Sequence, residues 1–267
     1  MASRKEQKEA ARQRRLAEER ARAERAARAR RMQMLGGVLV AAVVVIVALI
    51  AINSSGGNGA AKVPKPNSAQ AKQAVATVGN LLKGIPQQGT TLGSPSAKVT
   101  VTEYGDLVCP ICKDFALGAE NQLISNDVRS GKVKIVYKAL ETASATANNS
   151  MFVPSQAAAR AAGEQKLGWY YIELFYHEQG SETTSYVTNT YLAGLAEQVP
   201  GLNYSQWSNA RGAAALKSQV QADETAAASA GYSSTPTIVV SGPKAQAPAI
   251  VGNTTYGSLE SAIKSVS

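Results

Sequence analysis

The chain is poor in the side chains that carry most metal and acid–base chemistry. Its 267 residues include two cysteines and one histidine, His177. So few cysteines exclude a disulfide-stapled scaffold. Two Cys and one distant His also fall short of the four ligands of a structural zinc site. Beyond the first 31 residues there is little net charge. Residues 1–31 hold 12 Lys or Arg and 5 Glu, so they carry 12 − 5 = +7 of the formal +9 and leave 9 − 7 = +2 for the rest. The basic balance therefore describes a head, not the bulk of the chain. No internal repeat is visible, which excludes solenoid architectures.

What is present begins with that head. "SRKEQKEAARQRRLAEERARAERAARARR" is rich in good helix formers, and pairs such as Glu18 with Arg22 support a solvated helix. From Leu35 to Ile52 follow 18 residues without a charge, "LGGVLVAAVVVIVALIAI". At about 1.5 Å per residue, and extended from Met32, this run matches a hydrocarbon core of roughly 30 Å. Arginines directly before a spanning helix give the positive-inside signal. The head is thus expected to meet anionic lipid and not nucleic acid. The run is longer than a signal-peptide core, and no small-residue cleavage site follows it. No cysteine at its end offers a lipid attachment point. The expected organisation is a cytoplasmic basic head (1–31), a single-pass transmembrane anchor (32–53), a Gly/Ser/Asn/Pro linker (54–67) and an extracytoplasmic domain (68–267) in the cell membrane.

Within that domain, "SAQAKQAVATVGNLLKGI" has apolar residues at helical spacing. "KVTVTEY" (Lys98 to Tyr104) is short and β-branched, so it is predicted to be a strand. A helix starting near Cys109 and ending at Gly131 comes next, then a second strand, "KVKIVYKAL". This order implies a parallel pair with a right-handed crossover. From about 150 to 231 the patterns are all helical, the last being one long segment from Ser205 to Gly231. Strands return in "TPTIVVSG" and "APAIVGN", and "YGSLESAIKSV" closes the chain as a helix. The fold class is α/β, with a helical insertion in a sheet protein.

Both thiols sit in "GDLVCPICKDF", as Cys109 and Cys112. A crosslink closing a four-residue loop stabilises little, about 2 kcal/mol on the chain-entropy estimate, and its geometry is tight. A copper site of two thiolates and His177 is conceivable chemically, but a lone His in an aromatic helix usually packs or faces solvent. A redox pair has a mechanism. At a helix start, unpaired N–H groups and the dipole stabilise the Cys109 thiolate. Cys112, one turn further in, is placed to resolve a mixed disulfide. Pro110 suits the first helical turn, and Ile111 tunes the pair by packing alone. A metal ligand set and a cofactor are not expected.

The ordered set "EYGDLVCPICKDF", "WYYIELFYHEQG" and "SSTPTIVV" resembles the DsbA-like branch of the thioredoxin superfamily, in its bacterial membrane-anchored type. The resemblance spans about residues 85–267. It implies a thioredoxin-like fold and a thiol–disulfide oxidoreductase that oxidises cysteine pairs of exported proteins, reoxidised by a quinone-linked membrane partner. It also implies that Pro236, after Thr235, is cis and faces the cysteines, so that Thr235, Pro110 and Ile111 line the substrate. Glu103, six residues before Cys109, matches the family's buried acid, which exchanges a proton with Cys112; its alternative is a surface place on an edge strand. Lys134 or Lys138 is a candidate partner for Glu103. Ile111 stands where many relatives have His, which leaves the oxidising strength open. The alternatives are an isomerase or reductase of the same fold and a copper-binding module.

Overall fold

A computed structural model describes residues 68–146 and 150–267. The expected head, anchor and linker all lie outside these residues. Among the described residues, no helix is long and apolar enough to cross a membrane.

The domain opens with helix α1 (Ala69–Leu82), capped by Ser68, whose hydroxyl accepts from the Ala71 N–H at 3.1 Å. Ala71, Ala74, Val78 and Leu82 form its buried stripe, as its helical spacing predicts. Then come strands β1 (Gln87–Gln88), β2 (Thr91–Leu92) and β3 (Val99–Gly105). Helix α2 (Pro110–Phe115) continues through two wide π-helical turns, Ala116–Glu120 and Ile124–Val128, and reaches the left-handed Gly131. Strand β4 (Val133–Ala139) follows. The helical block comprises α3 (Ala143–Thr146), α4 (Phe152–Glu164), α5 (Gly168–His177), α6 (Asn189–Gln198), α7 (Tyr204–Ala210) and α8 (Ala214–Ser229). Strands β5 (Thr237–Ser241) and β6 (Ile250–Val251) and helix α9 (Tyr256–Val266) complete the chain.

The six strands run in the order β1-β2-β4-β3-β5-β6. Only β3 and β4 are parallel, in register from Val99↔Val133 to Gly105↔Ala139. The predicted β–α–β unit is thus present, and it puts β3 in the middle of the sheet. Buried Val99, Val101, Val133 and Ile135 carry the core, with Leu123 and Ile124 from the helix between the strands.

The helical block has its own aromatic core, in which Trp207 lies 6.0 Å from Tyr171, stacked, and donates its indole N–H to Ala158 O at 2.9 Å. The block is also fastened to the sheet. Trp169 donates its indole N–H to Thr90 O at 2.9 Å. Gly163 and Gly168 meet Gly89 backbone to backbone, and a Cβ on Gly168 would stand 2.3 Å from Gly89 O. Buried Arg160 pairs with Asp223, whose Oδ2 also accepts the Ala139 N–H at 3.1 Å and so ties α8 to the end of β4.

Three features differ from the sequence-based expectation. The hairpin β1–β2 lies between the predicted first helix and first strand, where no element is expected, because strands of two residues leave no periodic signal. The segment from Ser205 to Gly231 is two helices, broken at Arg211–Ala213, where Gly212 interrupts an otherwise helical composition. Residues 143–146 form a short helix with no amphipathic pattern to reveal it.

Candidate active site

Strand β3 ends at Gly105 and delivers the chain into Asp106, a buried carboxylate with four donors. Oδ1 accepts from Val108 N (3.0 Å) and Ser144 Oγ (2.7 Å); Oδ2 accepts from Thr142 N (3.0 Å) and Ser144 N (2.8 Å). The loop before the cysteines is thereby fixed to the segment after β4. From the helical block, the Gln179 amide donates to Leu107 O at 2.8 Å and to Cys109 O at 3.0 Å. Sequence reasoning singled out neither residue. An Asp three positions before a helix-start cysteine is a turn signal that could have been read; Gln179 has no local signal.

Cys109 is the N-cap of α2, in extended conformation, and Pro110 takes the first helical position, where its missing N–H costs nothing. The Thr235–Pro236 peptide is cis. Thr235 lies against the sulfur: the Cys109 thiol donates to Thr235 O at 3.6 Å, and the Thr235 hydroxyl bonds that of Thr142. Both cysteines are free. Cys112 is fully buried, and Cys109 is only 5% exposed, more enclosed than a solvent-facing nucleophile because the Thr235 loop covers it. Ile111 beside it is 38% exposed and marks the open side of the site.

The two sulfurs are driven apart electrostatically. Cys109 falls from 9.0 to about 6, chiefly because its thiolate accepts the Cys112 S–H, against the cost of burial. The Thr235 side chain and the N–H groups of Cys112 and Ile111 add to the effect. Cys112 is pushed well above its ordinary value, by burial first and then by giving its hydrogen bond to Cys109. At neutral pH the pair is one thiolate and one thiol.

Glu103 is fully buried. It lies on a central strand, so the edge-strand alternative is overturned. Neither lysine pairs with it. On β4 the buried positions alternate, and Tyr137 is the residue opposite Glu103. Lys134 and Lys138 point to the other face, where Lys134 Nζ donates to Pro95 O at 3.5 Å and Lys138 Nζ sits 5.5 Å from the Tyr104 ring. The neighbours of Glu103 are instead two further buried carboxyls, Glu120 and Glu173. Burial raises Glu103 to about 8; a hydrogen bond from Glu120 works against this, and the charges of Glu173 and Cys109 add to it. Gly105 makes room for the acid: a Cβ there would fall 2.9 Å from Glu103 Oε1 and 2.7 Å from the Tyr137 ring. His177 ends α5 half-buried; burial lowers its pKa, and Lys113 lowers it further. Among the described residues, no group of three or more His, Cys, Asp or Glu side chains is arranged to hold a metal ion.

A helix-capping thiolate, a buried partner thiol and a facing cis-proline on a mixed sheet can now be compared with known proteins. The family model described as thioredoxin matches residues 86–265, two thirds of the chain. The chain belongs to the thioredoxin family. It is 24% identical over 160 residues to "Probable disulfide bond formation protein D" of Bacillus anthracis, covering 57% of this chain and 69% of that protein. In fold it is similar to oxidised BdbD of Bacillus subtilis, with a TM-score of 0.58, 21% identity and coverage of 68% of this chain and 96% of the other. It is also similar to DsbA of Chlamydia trachomatis, with a TM-score of 0.54, 18% identity and coverage of 66% and 90%. The proteins this thioredoxin-family chain resembles are DsbA-type thiol–disulfide oxidoreductases, and its helical block is the insertion that their fold carries.

Proposed function

We propose that this thioredoxin-family protein is a membrane-anchored oxidase of exported proteins, and that its Cys109–Cys112 disulfide accepts electrons from their reduced cysteine pairs. The observation that carries the reading is the opposed acidity of the two sulfurs. A stabilised Cys109 thiolate favours the reduced enzyme, which makes the disulfide form oxidising. It also makes Cys109 the better leaving group when substrate is released.

A substrate thiolate attacks Cys109 Sγ. The Cys109–Cys112 bond breaks, and Cys112 leaves as a thiolate that takes a proton from Glu103. The second substrate thiolate then attacks the substrate sulfur of the mixed disulfide, and Cys109 departs as the stabilised thiolate. One substrate disulfide forms, and the enzyme holds a thiolate and a thiol. Ile111, Pro110 and Thr235 border the open side, where an extended peptide can lie. Two electrons must then pass to an oxidant, for which a quinone-linked membrane protein is suited. The charge-free run at residues 35–52 and the arginines before it support an anchor, with the domain outside the membrane. Tethering raises the effective concentration near such a partner. The isomerase and reductase readings need a less oxidising pair, and the copper reading lacks a third ligand among the described residues.

The test is the reduction potential of the pair against glutathione, together with disulfide formation in exported proteins of cells carrying Cys109→Ser. A potential near that of a reductant, or unchanged disulfide formation, refutes the oxidase reading. Protease added to spheroplasts is expected to digest the domain and spare the head; the reverse pattern refutes the topology.

A further inference from the structure

Glu103, Glu120 and Glu173 come from β3, from the π-helical turn after α2 and from α5, and they converge in one interior. All three are fully buried, and none of their six carboxyl oxygens is reached by an N–H or O–H donor of the surrounding residues. The groups around Glu103 are known element by element. The helix after β3 presents Cys109, Cys112 and Glu120; β4 presents Tyr137; α5 presents Glu173 and Tyr176; β5 presents apolar Ile238. The Tyr176 hydroxyl is buried there too, beside that of Tyr137. Among the described residues, no lysine or arginine enters. Within the cluster Glu120 faces Glu103 as its hydrogen-bonding partner, the one donor left where the surrounding residues supply none. Two carboxylates would repel, so the pair can bond only with a proton on one of them. The site is also widened for it: π turns recur at functional positions, and one of them ends at Glu120.

We propose that Glu120 is a positioning residue for the exchange reaction: as a carboxylic acid it donates its proton in a hydrogen bond to Glu103, and so lets Glu103 part with its own proton and take it back. This rests on the reading of Glu103 as the proton source for Cys112. When the Cys109–Cys112 bond breaks, Cys112 gains the Glu103 proton and Glu103 becomes a carboxylate. That charge arises in a buried interior with no cation among the described residues, and the Glu120 O–H is the donor that faces it. Glu120 keeps its proton throughout, and Glu103 is reprotonated from solvent after the exchange. For reoxidation Glu103 first gives that proton back to solvent, and as a carboxylate it then takes the Cys112 proton while Cys112 attacks the mixed disulfide. Glu173, buried beside them, opposes a second negative charge in the cluster.

The experiment follows reduction of the disulfide by a two-cysteine peptide from pH 5 to 10, with the full-length protein in detergent micelles. The wild type should slow on an alkaline limb where Glu103 loses its proton. Glu120→Leu removes the donor, so the limb should move about one pH unit or more upward and the rate at neutral pH should fall roughly tenfold, following the acidity of Glu103. Glu120→Gln keeps an N–H donor and should restore the wild-type limb. Coincident limbs for Glu120→Leu and wild type overturn the proposal, as does a Glu120→Gln limb displaced as far as that of Glu120→Leu. Should Glu120→Leu not fold, infrared spectra of the oxidised wild type at neutral pH decide. Bands of buried, protonated carboxyls are expected, and Glu120→Gln should remove one and shift another. Absence of such bands, or no shift, overturns the pairing. Failure of the wild type to oxidise any peptide overturns the oxidase reading instead, and the infrared result stands apart from it.

Discussion

The segment from β3 to α2 brings Glu103, Cys109 and Cys112 to the site within ten consecutive residues, whereas the helical block supplies Glu173 and Gln179 from α5 and the turn after it, and no sulfur. The sheet half holds the reacting atoms at the C-terminal end of a parallel strand, where loops gather. The helical half reaches them from above, with one amide on the cysteine loop and one carboxyl in the buried acid cluster. Chemistry is thus local in the chain, and its surroundings are not. The difference predicts that damage to the helical half will act on stability first and on the sulfurs only where a side chain crosses between the halves.

Trp207→Ala gives the largest expected effect. The side chain is fully buried in the block, stacked on Tyr171 and bonded to Ala158 O. Truncation should cost about 3–5 kcal/mol in urea unfolding of the folded domain. The transition should remain single, because Trp169, Gly163, Gly168 and Asp223 bind the block to the sheet. Two separated transitions would show that the halves fold independently. The pH at which Cys109 ionises should not move.

A second comparison separates the sulfur from the acids by pH. Cys109 is depressed from 9.0 to about 6 in the folded, reduced protein. Its contribution to stability is therefore full above pH 9 and is lost as pH falls through 6. Glu103 is raised from 4.5 to about 8, so its contribution is full below pH 4.5 and is lost as pH rises through 8. Glu120 and Glu173 are raised too, by burial first, and act in the same direction as Glu103. The oxidised protein has only the acids, and its stability should decline from pH 4.5 to 8. In the reduced protein the thiolate offsets that decline above pH 6. Denaturant melts of both forms across this range test it; parallel curves would mean that Cys109 is not depressed.

How much of this was legible in advance follows the same division. The C-P-I-C spacing, the β–α–β order and the T-P before β5 are local, and all three mark features found in the fold. Burial of Glu103 could be read only through resemblance, since "TVTEY" alone fits an edge strand equally well. Lys134 or Lys138 is a candidate partner for it on charge complementarity alone, and strand alternation removes both. The pleat turns both lysines away and puts Tyr137 beside the acid. Glu120 and Glu173 were invisible as a cluster, because 53 residues separate them in the sequence and only packing brings them together. The split of α7 from α8 was missed since Gly212 in an Ala-rich run breaks no hydrophobic period.

Gln179 and Gln165 make the finest test, because each is a glutamine with two backbone bonds and only one of them is near sulfur. Gln165 spans Asn203, donating to its O at 3.1 Å and accepting from its N at 2.8 Å, wholly inside the helical block. Gln179 spans Leu107 O and Cys109 O, from one half to the other. Replacing either by Ala should cost about 1–2 kcal/mol, by the lost bonds and the carbonyls left unpaired. Only Gln179→Ala should also free the loop that aims the Ile111 and Cys112 N–H groups at the Cys109 thiolate, so Cys109 should ionise at a higher pH and react with a maleimide more slowly at pH 6. Thiolate absorbance against pH measures this directly. If both variants shift Cys109 alike, the coupling runs through stability and the amide has no special place. If neither does, the sulfur is held by its own helix start, and the helical half contributes to it only through the buried acids.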